Sequence, residues 1–237
     1  MKFIDLCKNI LWGGALFSLV SVLPGCASDS GSHYVVYNDN YSQYLRFSLS
    51  VNPNGRIDLD GKGTYAILLN SEGQAIEVTD PDTFTDFIRF DGINFDWYSR
   101  QANLPNTGFT FNLVGTLNPE SSITSDGRTL NVILDVLDSS TYLNQYIVSS
   151  KFTAQAVTTD NTSDAYLGRV IDFLGNDLNT NSLQTLTIDK FYGIDSPIPS
   201  LYPNDYLNDW ITHNDLDPDF PYVNFDIDTF EVSFEQR

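Results

Sequence analysis

Cysteine is almost missing from this chain. Only Cys7 and Cys26 are present, and the first falls inside an apolar leader. One cysteine beyond that leader excludes an intrachain disulfide framework. Histidine is as scarce, with only His33 and His213. A Ser-His-Asp or Cys-His nucleophilic arrangement has to use His213, because His33 stands in a short polar tether. No H-E-x-x-H or C-x-x-C occurs, which removes the usual zinc patterns. A G-x-S-x-G elbow, a P-loop and a G-x-G-x-x-G turn are also absent. Serine-hydrolase, nucleotide-hydrolase and dinucleotide-binding activities therefore lack their motifs.

Positive charge is also in short supply. Twelve Lys and Arg face 31 Asp and Glu, a net charge of −19. Nucleic acid and anionic membrane surfaces are poor partners for such a chain. The aromatic share of 14% is inconsistent with disorder.

Long apolar runs are limited to one. Ile10–Leu23 (ILWGGALFSLVSVL) carries no charge and follows Lys2 and Lys8. It falls short of the roughly 20 residues of a membrane span but suits the apolar region of a signal peptide. It ends in Leu23-Pro24-Gly25-Cys26. This tetrapeptide resembles the lipobox of bacterial lipoproteins, with Pro24 where a small residue is usual. The resemblance implies cleavage after Gly25 and a lipid on Cys26. Residues 1–25 are then a signal peptide, and 26–42 the lipidated cysteine and a flexible tether. Ala27-Ser28 follow the cysteine; lacking Asp there, the protein is expected on the outer membrane if the cell has two membranes. Without Lys2, Lys8 and Asp5, ten basic and thirty acidic residues remain, a net charge near −20.

What remains is rich in short alternating segments. Leu45, Phe47, Leu49 and Val51 share one parity, as do Leu130, Val132, Leu134 and Val136. Phe109, Phe111 and Leu113 form a third set, and Ile93, Phe95 and Trp97 a fourth. Residues 64–70, 85–90, 145–157 and 183–189 read as further strands, separated by Gly, Asn, Asp and Pro. Helical periodicity is confined to residues 164–174 and 205–211. The expected fold is all-β: an immunoglobulin-like or jelly-roll β-sandwich with one or two short helices, forming a single domain over residues 43–237. Residues 51–68 and 117–134 echo each other without gaps, each with Asn-Pro ending a strand and Asp-Gly making the next turn.

The last strand shows a change of phase. Val223, Phe225 and Ile227 share one parity, whereas Phe230, Val232 and Phe234 share the other. A flat strand cannot keep both sets on the core face, so the pattern predicts a bulge or bend at Asp228-Thr229.

Candidate chemistry is sparse. Asp215, Asp217 and Asp219 have the carboxylate spacing of a calcium loop, but Phe220, followed by Pro221, stands at the sixth place, where an EF-hand needs Gly. Structural calcium in an irregular loop is the remaining cofactor expectation. Thirty carboxylates offer too many accidental pairs to single out a glycoside-hydrolase dyad. Tyr202, Tyr206 and Trp210 lie in a polar, loop-like segment and are the candidate ligand-stacking residues. Trp97 shares a face with apolar neighbours and is expected in the core.

Several stretches resemble a recurring group of bacterial envelope lipoproteins. They are YAILLNSEGQ (65–74), FTDFIRFDG (84–92), WYSR (97–100), NVILDV (131–136), FTAQAVTTD (152–160) and the closing DLDPDFPYVNFDIDTFEVSF (215–234). Those modules are similar to β-sandwiches of the family-9 carbohydrate-binding and DOMON-like type. The resemblance implies a sandwich that binds a glycan or small ligand. The expected protein is lipid-anchored in the cell envelope, touches the bilayer through Cys26, and is a non-catalytic binding or structural module for a glycan or envelope protein. Carbohydrate binding is the second expectation, glycoside hydrolysis the third.

Overall fold

A computed structural model describes residues 43–102, 109–117, 121–161, 167–173, 176–177, 182–183, 185–190 and 219–236. All fall within one unit, Asp39–Arg237. The fold is an all-β sandwich, as expected. Its smaller sheet has the order β13-β1-β7-β6, built from β1 (Gln43–Val51), β6 (Ser122–Ile123), β7 (Thr129–Asp135) and β13 (Ile227–Gln236). The larger has the order β12-β8-β2-β3-β4-β5, with β9 also on β8. Its strands are β2 (Gly63–Asn70), β3 (Asp86–Phe90), β4 (Phe95–Ala102), β5 (Phe109–Thr116), β8 (Lys151–Asp160), β9 (Val170–Phe173) and β12 (Leu186–Asp189). A two-stranded ribbon joins β10 (Asn176–Asp177) to β11 (Ser182–Leu183).

Strand patterning explains the layers. Leu45, Phe47, Leu49 and Val51 of β1 and Leu130, Val132 and Leu134 of β7 are buried. They meet Tyr65, Ile67 and Leu69 of β2, Ile88 and Phe90 of β3, Trp97 of β4 and Phe152 of β8 in one core. Strand β2 is buried along its whole length. Its other face, Ala66 and Leu68, lies under Ile76, Val78 and Phe84 from the 71–85 connection, with Phe87, Phe111, Val157 and Phe173. This double burial is why residues 64–70 read as a continuous apolar run.

The phase change in β13 is a bulge. Ser50 opposes Thr229 and Val51 opposes Ile227, leaving Asp228 as the extra residue. Phe225, Ile227, Phe230 and Val232 are all buried as a result. The residues just before β13 plug one end of the sandwich. Phe225 stacks on Tyr65 at 5.2 Å, and the Tyr65 hydroxyl donates to the Asn224 carbonyl at 2.8 Å. The Val223 carbonyl and the Phe225 ring occupy the space that side chains at Gly55 and Gly63 would need.

Several expectations are corrected. Residues 170–173 form β9, not a helix. Arg169 donates from its backbone N–H to Asp160 Oδ1 at 2.7 Å and from Nε to Oδ2 at 3.1 Å, and the backbone N–H of Asp160 donates to the Arg169 carbonyl at 2.9 Å. These tertiary bonds seat the segment on the edge of β8 against its helical periodicity. Residues 145–150 are not strand. Tyr142–Tyr146 form a helix, α1, whose tyrosines meet Trp97 from one side. The buried Lys190 amine donates to the Ile147 carbonyl at the end of that helix. Ile93 leaves the expected face and is 80% exposed, because Asp91 Oδ1 accepts its N–H in a tight turn. Leu113 is exposed as well. Trp97 opposes Gly115 and Tyr98 opposes Leu113, so Val114 is an extra residue. Leu113 therefore shares the outer face with Phe111, beyond the edge of its cover.

Candidate ligand-binding cleft

The site follows from how the chain leaves β7. In Asp135-Val-Leu-Asp138-Ser-Ser140-Thr141 the side chains bond the backbone of the same loop. Asp135 Oδ1 accepts the N–H groups of Leu137 and Asp138 at 2.8 and 3.0 Å. Asp138 Oδ1 accepts the backbone N–H of Ser140 at 2.8 Å and its hydroxyl at 2.6 Å. Thr141 Oγ1 donates to the carbonyls of Asp135 and Asp138. Asn144 Nδ2 donates to those of Val136 and Asp138. Short polar side chains that mimic backbone turns bend the chain twice here and deliver it into α1.

Helix α1 presents Tyr142 and Tyr146 four residues apart, which places both on one side. Their rings lie 6.2 and 6.4 Å from that of Trp97. The Tyr142 hydroxyl occupies the space where Gly115 of β5 would carry a Cβ. Glycine at 115 thus lets the tyrosine approach the backbone of the larger sheet.

Between these parts lies a cleft of about 610 Å³, within the roughly 300–1,000 Å³ of small-molecule sites. Tyr44 of β1 and Tyr142 of α1 line it, with Thr116 and Leu117 after β5, Ile133 and Leu134 of β7, and Asp135, Asp138, Ser140 and Thr141 of the loop. Tyr44 and Asp135 are register partners on neighbouring strands. The Ser140 hydrogen bonds hold the Asp138 carboxyl below the usual carboxylate range, so it is ionised at neutral pH. No Lys, Arg or His is among the described residues of the lining. The cleft therefore offers aromatic surface and anionic acceptors.

None of the residues expected from sequence is among the described residues of the lining. Cys26, Tyr202, Tyr206, Trp210, Asp215 and Asp217 lie outside the described residues. Asp219 is exposed in the turn before Phe220 and does not line the cleft. Among the described residues, no group of three His, Cys, Asp or Glu gathers to hold a metal ion. Trp97 is fully buried and donates from Nε1 to Asp86 Oδ1 at 3.1 Å, as a core residue does. Tyr98 stacks on Phe87 at 4.7 Å and accepts from Arg89 Nη2 at 2.6 Å. A local signal exists only for its loop: the Asp, Ser and Thr cluster at 135–141 followed by tyrosines at helical spacing. The chain matches no known family model, no curated protein and no solved structure.

Proposed function

We propose that this chain is a lipid-anchored protein of the bacterial cell envelope whose β-sandwich is a non-catalytic binding module. The cleft between Tyr44 and Tyr142 carries the proposal, because it pairs aromatic surface with fixed hydrogen-bond acceptors on one rim. Rigid strands and a self-bonded loop hold those groups, the arrangement that favours binding without reorganisation. Asp138 is not suited to be the general acid of a glycoside hydrolase. A general acid must hold a proton near neutral pH, and the Ser140 bonds favour the ionised form of this carboxyl. The anchor is supported by the charge-free run Ile10–Leu23 ending at Leu23-Pro24-Gly25-Cys26.

Two measurements test it. Metabolic labelling with a palmitate analogue is expected to mark the wild-type chain in the membrane fraction and to vanish in Cys26→Ser. Labelling that persists in the variant removes the anchor. Incubation of the purified protein with oligosaccharides is expected to release no product. Hydrolysis abolished by a single carboxylate substitution replaces the module with a hydrolase.

A further inference from the structure

We infer that the cleft takes an uncharged or amino-bearing glycan and rejects acidic ones. This rests on the binding-module proposal above and names its ligand class. Three observations converge on it. First, the lining carries two tyrosines, from β1 and from α1. A tyrosine offers an apolar ring to the C–H face of a sugar and a polar tip to its edge. The Tyr142 hydroxyl has no hydrogen-bond partner among the described residues, and it is not a buried orphan.

Second, the polar groups of the rim are acceptors. Asp135 and Asp138 each use Oδ1 to bond the loop. Their Oδ2 atoms accept no hydrogen bond from the described residues. The hydroxyl protons of Ser140 and Thr141 are committed to Asp138 and to loop carbonyls, and that of Thr116 to Asp96 at 2.7 Å. Apart from the tyrosine hydroxyls, a ligand must therefore bring the donors. Sugar hydroxyls and ammonium groups do so, and carboxylates, sulfates and phosphates do not.

Third, the local charge has one sign. Two carboxylates and no cation line the cleft among the described residues, on a chain of net charge −19. An anionic glycan would be buried beside like charges without compensation, a cost that discriminates strongly. An amino sugar gains from both the carboxylates and the tyrosine faces.

The test uses the full chain, solubilised in mild detergent. It is exposed to an array of neutral, amino-substituted, uronate and sulfated glycans, with Lys-rich peptides on the same surface. Hits are titrated by calorimetry. Neutral or amino glycans are expected to bind, and uronate or sulfated analogues of the same backbone to bind at least tenfold more weakly. Tyr44→Ala and Asp138→Asn are each expected to weaken binding about tenfold while melting remains cooperative. They are used because Tyr142 also packs on Trp97, so its removal disturbs the fold. An array with no glycan bound overturns the inference, as does preference for acidic glycans or binding unchanged in both variants. Capture of Lys-rich peptides in place of glycans, lost in Tyr44→Ala, overturns the ligand class yet leaves a binding module standing. The two proposals thus fail separately.

Discussion

Asp172 of β9 accepts the backbone N–H of Ile227, the first residue of β13, at 2.6 Å through Oδ2. A carboxyl of the larger sheet thereby holds the start of the last strand of the smaller one. Its Oδ1 accepts the backbone N–H of Phe173 at 2.8 Å. Beside it, Thr158 Oγ1 donates to the Phe225 carbonyl at 2.6 Å, and Asn52 Nδ2 donates to Asp226 Oδ2 at 2.8 Å. These bonds staple the end of the sandwich that residues 222–227 close.

The staple makes stability depend on pH. Burial pushes the Asp172 carboxyl up to about 7, with the Asp226 charge adding to the rise and the two N–H donors opposing it. The folded state therefore holds this proton more tightly than the unfolded chain, whose carboxyl titrates near 4. The stability it confers is complete below pH 4 and is lost as pH rises toward 7. Between pH 5 and pH 7 the loss is at most about 3 kcal/mol, at 1.36 kcal/mol per unit. Urea unfolding of Asp172→Asn should lack that component, so the gap between wild type and variant narrows from pH 5 to pH 8. A gap equal at both values sinks the assignment.

The bulge in β13 predicts an order of tolerance that exposure alone reverses. Asp228 is half-buried and Glu231 exposed. Deleting Asp228 removes the extra residue and leaves Ile227 and Phe230 two apart, still on one face. Deleting Glu231 makes Phe230 and Val232 neighbours, which forces one of them off the core. Thermal melting should show the Asp228 deletion costing about 1–2 kcal/mol, and the Glu231 deletion several or no folded protein. Equal losses would refute the phase assignment, since each deletion removes one acidic residue.

The same contrast shows what the sequence revealed. Alternation disclosed β1, β7 and the slip in β13, because each has one face on the core and one in solvent. Within the expected helix 164–174 it misled at the described residues 167–173, where Val170 and Phe173 fit a helix but Asp160 captures Arg169 at the edge of β8. It misled again at 145–150, where α1 depends on tyrosines meeting Trp97, about 45 residues away in the chain. The cleft was hidden for a related reason. Tyr44, Thr116, Asp135 and Tyr142 come from different elements, and no local pattern announces that they meet.

Gly115 and Tyr142 should be energetically coupled. A Cβ at 115 would overlap the Tyr142 hydroxyl, so Gly115→Ala must displace the tyrosine or the strand. Overpacking of this kind costs about 1–3 kcal/mol. In a Tyr142→Ala background the obstruction is gone, and the same substitution should cost less than about 0.5 kcal/mol. A double-mutant cycle in urea measures the difference. Additive costs would show that the ring does not sit where the cleft requires it.

Trp97 separates a core role from a ligand platform. It is fully buried, and its Nε1 donates to the carboxylate of Asp86 at 3.1 Å. Burial pushes the Asp86 carboxyl up, and hydrogen bonds from Thr85, Ser99 and Trp97 pull it back. Trp97→Phe keeps an apolar ring for Tyr142 and Tyr146 but removes one donor from that buried group. The loss should be about 1–3 kcal/mol, with Asp86→Asn in the same background changing stability less than it does alone. In a variant carrying Trp12→Phe and Trp210→Phe, Trp97 is the one remaining indole. Its emission should be blue and unquenched by iodide, and insensitive to iodide whether or not the cleft is filled. Quenching close to that of free tryptophan would place Trp97 at the surface and overturn its core role.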